Sequence, residues 1–131
     1  MKHIVCLIPG DGIGPEVAEA ARTVLDASGA SIEWLELPAG AGAVEAHGDV
    51  LPQKTIEAIA AHKVALKGPV TTPIGRGFTS VNVQLRKRLN LYAAVRPVRT
   101  MPGIRTRYDN VELVVIRENT EGLYSGIENE I

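Results

Sequence analysis

The chain has 131 residues, 45% of them hydrophobic and 22% charged, and a net charge of −1, which is the profile of an ordinary folded domain and not of a disordered or fibrous chain. Cys6, the only cysteine, excludes an intrachain disulfide and points to a reducing, cytoplasmic compartment. No window approaches the apolar length of a membrane span, and MKHIVCLIPGDGIGPE, whose apolar run is broken by Pro9 and followed by acid, reads as neither a signal nor a transit peptide.

Strand and helix alternate along the chain, the pattern of an α/β layer architecture with crossover connections. Residues 4–8 read as a buried strand, with the Cys6 thiol inert inside it. GDGIGPE then turns the chain, and Pro15 with Glu16 behind it starts a helix. Val17, Ala20, Ala21, Val24 and Leu25 recur at helical spacing, so this helix spans residues 15–28, with Gly29 as its C-terminal cap. Residues 32–37 alternate as a second strand, 43–46 form a short helix, and Pro52 opens another helix through residue 61. A short strand over 64–66 leads into the loop KGPVTTPIGRG. Residues 81–88 read as a helix, 91–98 as a strand that tolerates Pro97 only near its end or at an edge, and 111–117 as the clearest strand of all.

Acidic and basic residues are segregated along the chain. Residues 1–57 hold nine acids and three bases, residues 58–108 hold ten bases and no acid, and residues 109–131 hold six acids and Arg117 alone among bases. Folding can pair these segments through weak surface ion pairs. The alternative is a site for an anion, for which the guanidinium fork is suited.

Two glycine-rich loops follow strands. GDGIGPE lacks the spacing of a dinucleotide fingerprint, and no acid stands at the end of the second strand in the expected way, so a tight turn is the simpler reading, with a helix N-terminus able to attract an anion. KGPVTTPIGRG is not a P-loop, but it holds the Thr71 and Thr72 hydroxyls between prolines at a strand end, where open α/β sheets bind ligands. Ser80 either caps the next helix or presents its hydroxyl to a ligand. Asn82 and Arg86, four apart, share a face of that helix. Arg96 lies among Ala94, Val95 and Val98, and Arg117 continues the face of Val111, Leu113 and Val115. Each is either a strand-end cation reaching solvent or one awaiting a distant partner or a ligand. Lys87, Arg88 and Arg99 read as solvated or interface charge, and the acidic tail RENTEGLYSGIENEI as a solvated turn. Aromatic residues do not interleave with the basic block, and the pI is near 6.3, which argues against nucleic acid. His3, His47 and His62 have no metal-ligand spacing.

Four blocks, IPGDGIGPE, LKGPVTTPIG, TSVNVQLRKRLNLYAAVRPVR and VIRENTEGLYSGIE, resemble in order and spacing the front of the isocitrate and isopropylmalate dehydrogenases. The pairing of Ser80 and Asn82 ahead of Arg86 resembles isocitrate dehydrogenases, and RENTEGLYSGIE is similar to the NAD-dependent ones in particular. The resemblance implies an α/β sheet with flanking helices that is not a Rossmann fold and is incomplete at the C-terminus. Residues 1–97 would then be part of a large domain and residues 98–131 the start of a smaller one. It also implies oxidative decarboxylation of isocitrate to 2-oxoglutarate with a nicotinamide cofactor, NAD or NADP, and with Mg2+ or Mn2+. By position, Ser80, Asn82, Arg86, Arg96 and Arg117 match residues that grip the carboxylates of a tricarboxylic 2-hydroxy acid. Tyr124 matches a tyrosine that protonates the enolate after decarboxylation, and Thr71 and Thr72 match hydroxyls near the nicotinamide. The family's catalytic lysine, metal-binding aspartates and adenine-binding loop have no counterpart here, so the isolated chain is expected to be inactive, with no metal ligand of its own. Lys63 stands where the family often carries an acid. A homo-oligomer of two or more copies is implied. The alternatives are a relative acting on isopropylmalate, homoisocitrate or tartrate, and a non-catalytic, carboxylate-binding partner subunit.

Overall fold

The structure, a computed structural model, describes residues 2–71 and 79–125. Strand β1 (His3–Ile8) is followed by helix α1 (Gly14–Ala27), strand β2 (Ile32–Glu36), helices α2 (Ala41–His47) and α3 (Gln53–His62), and strand β3 (Ala65–Lys67). Helix α4 (Val81–Arg88), strands β4 (Ala93–Arg99) and β5 (Glu112–Glu118), and a 3-10 turn at Gly122–Tyr124 complete the described chain. Two compact units, Met1–Leu85 and Arg86–Ile131, divide within α4.

In the first unit β1 is the middle strand of a parallel sheet of order β2-β1-β3. Cys6 pairs with Leu35 on one side and with Ala65 on the other. A middle strand covered on both faces needs a continuous apolar run instead of an alternating one, and Cys6, Leu7 and Ile8 are accordingly all buried. Side chains of the size of Ile8 and Leu51, both fully buried here, each contribute about 1.5–3 kcal/mol by leaving water. Helix α1 begins one residue before Pro15 and ends with Gly29 at φ 81°, the left-handed turn that a glycine cap provides. Helix α2 is longer than its apolar spacing predicts, and the left-handed Gly48 closes it. Thr55, fully buried on α3, donates from Oγ1 to the Pro38 carbonyl at 2.9 Å and so ties α3 to the connection after β2.

The second unit is built on the antiparallel pair β4–β5, in register from Ala93 opposite Glu118 to Arg99 opposite Glu112. Pro97 sits inside β4, opposite Val114, rather than near its end. Among the described residues this sheet has two strands, so β4 keeps an outer side on which a missing N–H costs nothing. Strand β4 pairs along its whole length with β5. Val95 and Ile116, cross-strand partners, are each more than 60% exposed.

Candidate functional site

At the carboxyl ends of the parallel strands the loops after β1 and β3 lie against each other. The Gly68 N–H donates to the Ile8 carbonyl at 2.8 Å and the Asp11 N–H to the Pro69 carbonyl at 3.1 Å. Gly10, at φ 83°, has its α-carbon so near the Pro69 carbonyl that a Cβ would run into it, and Gly14 is blocked in the same way by Pro9 and Pro69. Gly10 and Gly14 therefore serve close backbone approach.

Asp11 joins three connections. Its Oδ2 accepts from the Ala41 N–H at 2.9 Å and its Oδ1 from the Thr71 N–H at 2.8 Å. Burial alone raises its carboxyl pKa, but the Thr71 hydroxyl, the Ala41 and Thr71 N–H groups and the nearby Lys67 charge outweigh that and hold it below the ordinary carboxylate value. Lys67 donates to the Gly68 carbonyl at 2.7 Å, and burial pulls its ammonium pKa down against the opposing pull of Asp11. Sequence reasoning passed over Asp11, although an acceptor-only side chain between two turn glycines was a signal that N–H groups would gather there. Beside it, a cleft of about 520 Å³ is lined by Pro9, Gly10, Pro15, Glu36, Leu37 and Ala39, among others. Thr71 is exposed at the rim of its loop; Thr72 lies outside the described residues.

Helix α4 carries the next group. The Ser80 carbonyl accepts from the Gln84 N–H at 2.9 Å, which puts Ser80 at the N-cap position. Asn82 is exposed and Arg86 half-buried, one turn apart on the same face.

In the second unit the register places Ala94 opposite Arg117 and Arg96 opposite Val115. Arg96 and Arg117 are therefore diagonal neighbours on one sheet face, a relationship that spans about 7–8 Å. Arg117 turns toward Tyr124: its Nη2 donates to the phenol oxygen at 2.7 Å and its Cζ stands 4.8 Å from the ring centroid. The tail carrying Tyr124 is more than a solvated turn, because Glu118 organises it. Glu118 Oε1 accepts from the N–H groups of Thr120 and Glu121 and from the Thr120 hydroxyl. The Thr120 N–H is the main cause that holds its carboxyl below the ordinary range, against the opposing effect of burial. Asn119, buried beside it, donates its N–H to the Tyr92 carbonyl at 2.9 Å. Lys87, expected in solvent or at an interface, donates to the Ser125 carbonyl at 3.0 Å and so ties the last turn of α4 to the Tyr124 turn.

Among the described residues Arg22 forms ion pairs with Glu19 and Asp26, on the surface of α1. Among the same described residues, Arg86, Arg96 and Arg117 form none. Among the described residues the acidic and basic segments are thus not neutralised by each other at these positions. Also among the described residues, no three His, Cys, Asp or Glu side chains come together in a way that could hold a metal ion.

Residues 4–131 match the isocitrate/isopropylmalate dehydrogenase family. The chain belongs to that family. It is 50% identical over 125 residues to the NAD isocitrate dehydrogenase catalytic subunit 5 of Arabidopsis thaliana, covering 95% of this chain and 33% of that protein. It is 52% identical over 126 residues to an NAD isocitrate dehydrogenase regulatory subunit of Dictyostelium discoideum, covering 96% of this chain and 34% of that protein. Among solved structures, isocitrate dehydrogenase from Methylococcus capsulatus superposes with a TM-score of 0.84 at 51% identity, over 98% of this chain and 38% of its own. The α/β architecture of this family member is therefore of the isocitrate dehydrogenase kind, and the chain spans about a third of the length of the curated relatives it matches.

Proposed function

We propose that the chain is the N-terminal portion of an isocitrate dehydrogenase, binding a tricarboxylic 2-hydroxy acid through Ser80, Asn82, Arg86, Arg96 and Arg117. The observation that carries this is the shared sheet face of Arg96 and Arg117, two cations without an ion pair among the described residues. Like charges on one face destabilise the apo protein, and a carboxylate between them turns that cost into charge-assisted hydrogen bonding. Arg117 donates to the Tyr124 oxygen, so the phenol proton is left to another acceptor. This suits Tyr124 to deliver a proton from Oη to the carbanion left by decarboxylation. Thr71 and Thr72 stand on the nicotinamide side in this reading. When bound, the nicotinamide would accept the hydride from the substrate carbinol carbon.

The reading includes NAD as cofactor and Mg2+ or Mn2+ as metal, a homo-oligomer of two or more copies, a cytoplasmic location suited to a free thiol, and a division of the complete protein into a large domain holding residues 1–97 and a smaller one starting at 98–131. The described residues do not fit a metal site. Titration calorimetry of the 131-residue chain with isocitrate and with isopropylmalate tests the grip. Heat with isocitrate that Ser80→Ala diminishes supports the reading; preference for isopropylmalate, or heat with neither, defeats it. Turnover of isocitrate by this chain alone, with NAD or NADP and magnesium, would overturn the expectation that it is inactive by itself.

The 52% identity to a regulatory subunit favours a second reading, a non-catalytic partner that binds a carboxylate as a regulator. Under it, Tyr124→Phe leaves the activity of the assembled protein unchanged.

A further inference from the structure

Tyr124 is 48% exposed, so packing alone does not fix where its phenol stands. It closes a single 3-10 turn, Gly122–Tyr124, and in so short a turn the N–H groups at the entry and the carbonyls at the exit look outside the turn for partners. An acid suits the first end and a cation the second. Glu118 and Lys87 stand at those two ends.

At the entry, Glu118 Oε1 accepts from the Thr120 N–H, from the Thr120 hydroxyl at 3.1 Å and from the Glu121 N–H at 2.7 Å. The Glu121 carbonyl in turn accepts from the Tyr124 N–H at 3.0 Å, so the residue that Glu118 fixes is the one that starts the turn. At the exit, Lys87 Nζ donates to the Ser125 carbonyl at 3.0 Å. Ser125 donates its own N–H at 3.2 Å and its hydroxyl at 2.7 Å to the Gly122 carbonyl. Hydrogen bonds with a charged partner are about twice as strong as neutral ones, and each end of the turn has one. Arg117 meets the phenol oxygen, whereas Glu118 and Lys87 act on the backbone that carries it.

We propose that Glu118 and Lys87 are positioning residues for Tyr124, clamping the two ends of its turn so that the phenol oxygen stays on the Arg117 guanidinium with its proton free for the substrate carbanion. This rests on the reading of Tyr124 as the proton donor, and it adds the residues that hold the donor in place.

The test is a set of variants in the complete polypeptide, assayed with isocitrate. Both side chains are exposed, so their replacement leaves the fold intact. Glu118→Ala and Lys87→Met should each lower kcat about 10- to 100-fold, the cost of a catalytic group misplaced by about 1 Å, with KM unchanged because Arg96 and Arg117 remain. Glu118→Gln keeps an acceptor oxygen at the same place and should restore most of kcat. In a Tyr124→Phe background neither variant should cost anything more, because both act through the phenol. A raised KM at unchanged kcat, or the same loss with and without the Tyr124 hydroxyl, overturns the proposal. The labelled 131-residue chain reads the geometry separately: nuclear Overhauser cross-peaks between the Arg117 side chain and the Tyr124 ring should be present in wild type and Glu118→Gln and lost in Glu118→Ala and Lys87→Met. Their persistence in both overturns the clamp. If Tyr124→Phe by itself keeps full activity, the reading of Tyr124 as proton donor fails and the catalytic half falls with it, while the cross-peaks still decide whether Glu118 and Lys87 hold the ring.

Discussion

The guanidinium of Arg117 lies over the ring of Tyr124 and donates to its hydroxyl at 2.7 Å, with Cζ 4.8 Å from the ring centroid. One side chain thus holds the other by both its face and its oxygen. Tyr124→Phe removes the oxygen and keeps the face. Because Tyr124 is 48% exposed, the stability of the chain in urea should move by less than about 0.5 kcal/mol. Under the dehydrogenase reading, the same change in the complete polypeptide slows product formation about 10²- to 10⁴-fold, the range of a lost general acid. Retained activity in steady-state assays would remove Tyr124 from the proton transfer.

Arg96 should trade stability for binding. Arg96→Gln relieves the diagonal repulsion with Arg117, so the ligand-free chain gains about 0.2–1 kcal/mol in urea unfolding. Excess isocitrate should stabilise the wild type, by about 2.7 kcal/mol at a hundred times the dissociation constant, and stabilise the variant much less. A variant weaker than wild type without ligand would show that Arg96 serves structure instead.

Two glycines of the same turn should respond very differently to alanine. Gly10→Ala forces a Cβ into the Pro69 carbonyl at φ 83°, whereas Gly12, at φ 58°, has open space around it. Gly12→Ala should cost about 1–2 kcal/mol of left-handed strain, and Gly10→Ala more, through displacement of the loop after β3. Thermal melts of the two variants order them, and equal melting temperatures would contradict the close approach.

Acid should weaken the first unit through Asp11. Its folded pKa is depressed, so its contribution is fully present above the unfolded value of about 3.9 and is lost as pH falls through the lower folded value. Urea midpoints between pH 7 and pH 3 should therefore fall more steeply for wild type than for Asp11→Asn. Parallel curves would mean that the carboxylate is not stabilised by its N–H partners.

Residues that follow a short-range rule were legible in the sequence. The apolar run of β1, the proline start and glycine end of α1, and α4 at residues 81–88 all lie where spacing and capping put them. Arg96 and Arg117 stood out as charges among apolar neighbours, but their sharing of a face depends on the β4–β5 register, which no local pattern encodes. Asp11 was hidden for a similar reason: its partners are 30 and 60 residues away. Lys87 looked like surplus charge because its acceptor is a backbone carbonyl, which carries no side-chain signature.

Cys6 gives the chain a clock of its own. The thiol is buried in the middle strand of the parallel sheet, and burial raises its pKa, so a thiol reagent meets an unreactive group until that sheet opens. Its labelling rate under native conditions therefore counts openings of the first unit and is blind to the second. With no other cysteine to confuse the signal, the breathing of one half of the molecule can be timed without adding any probe.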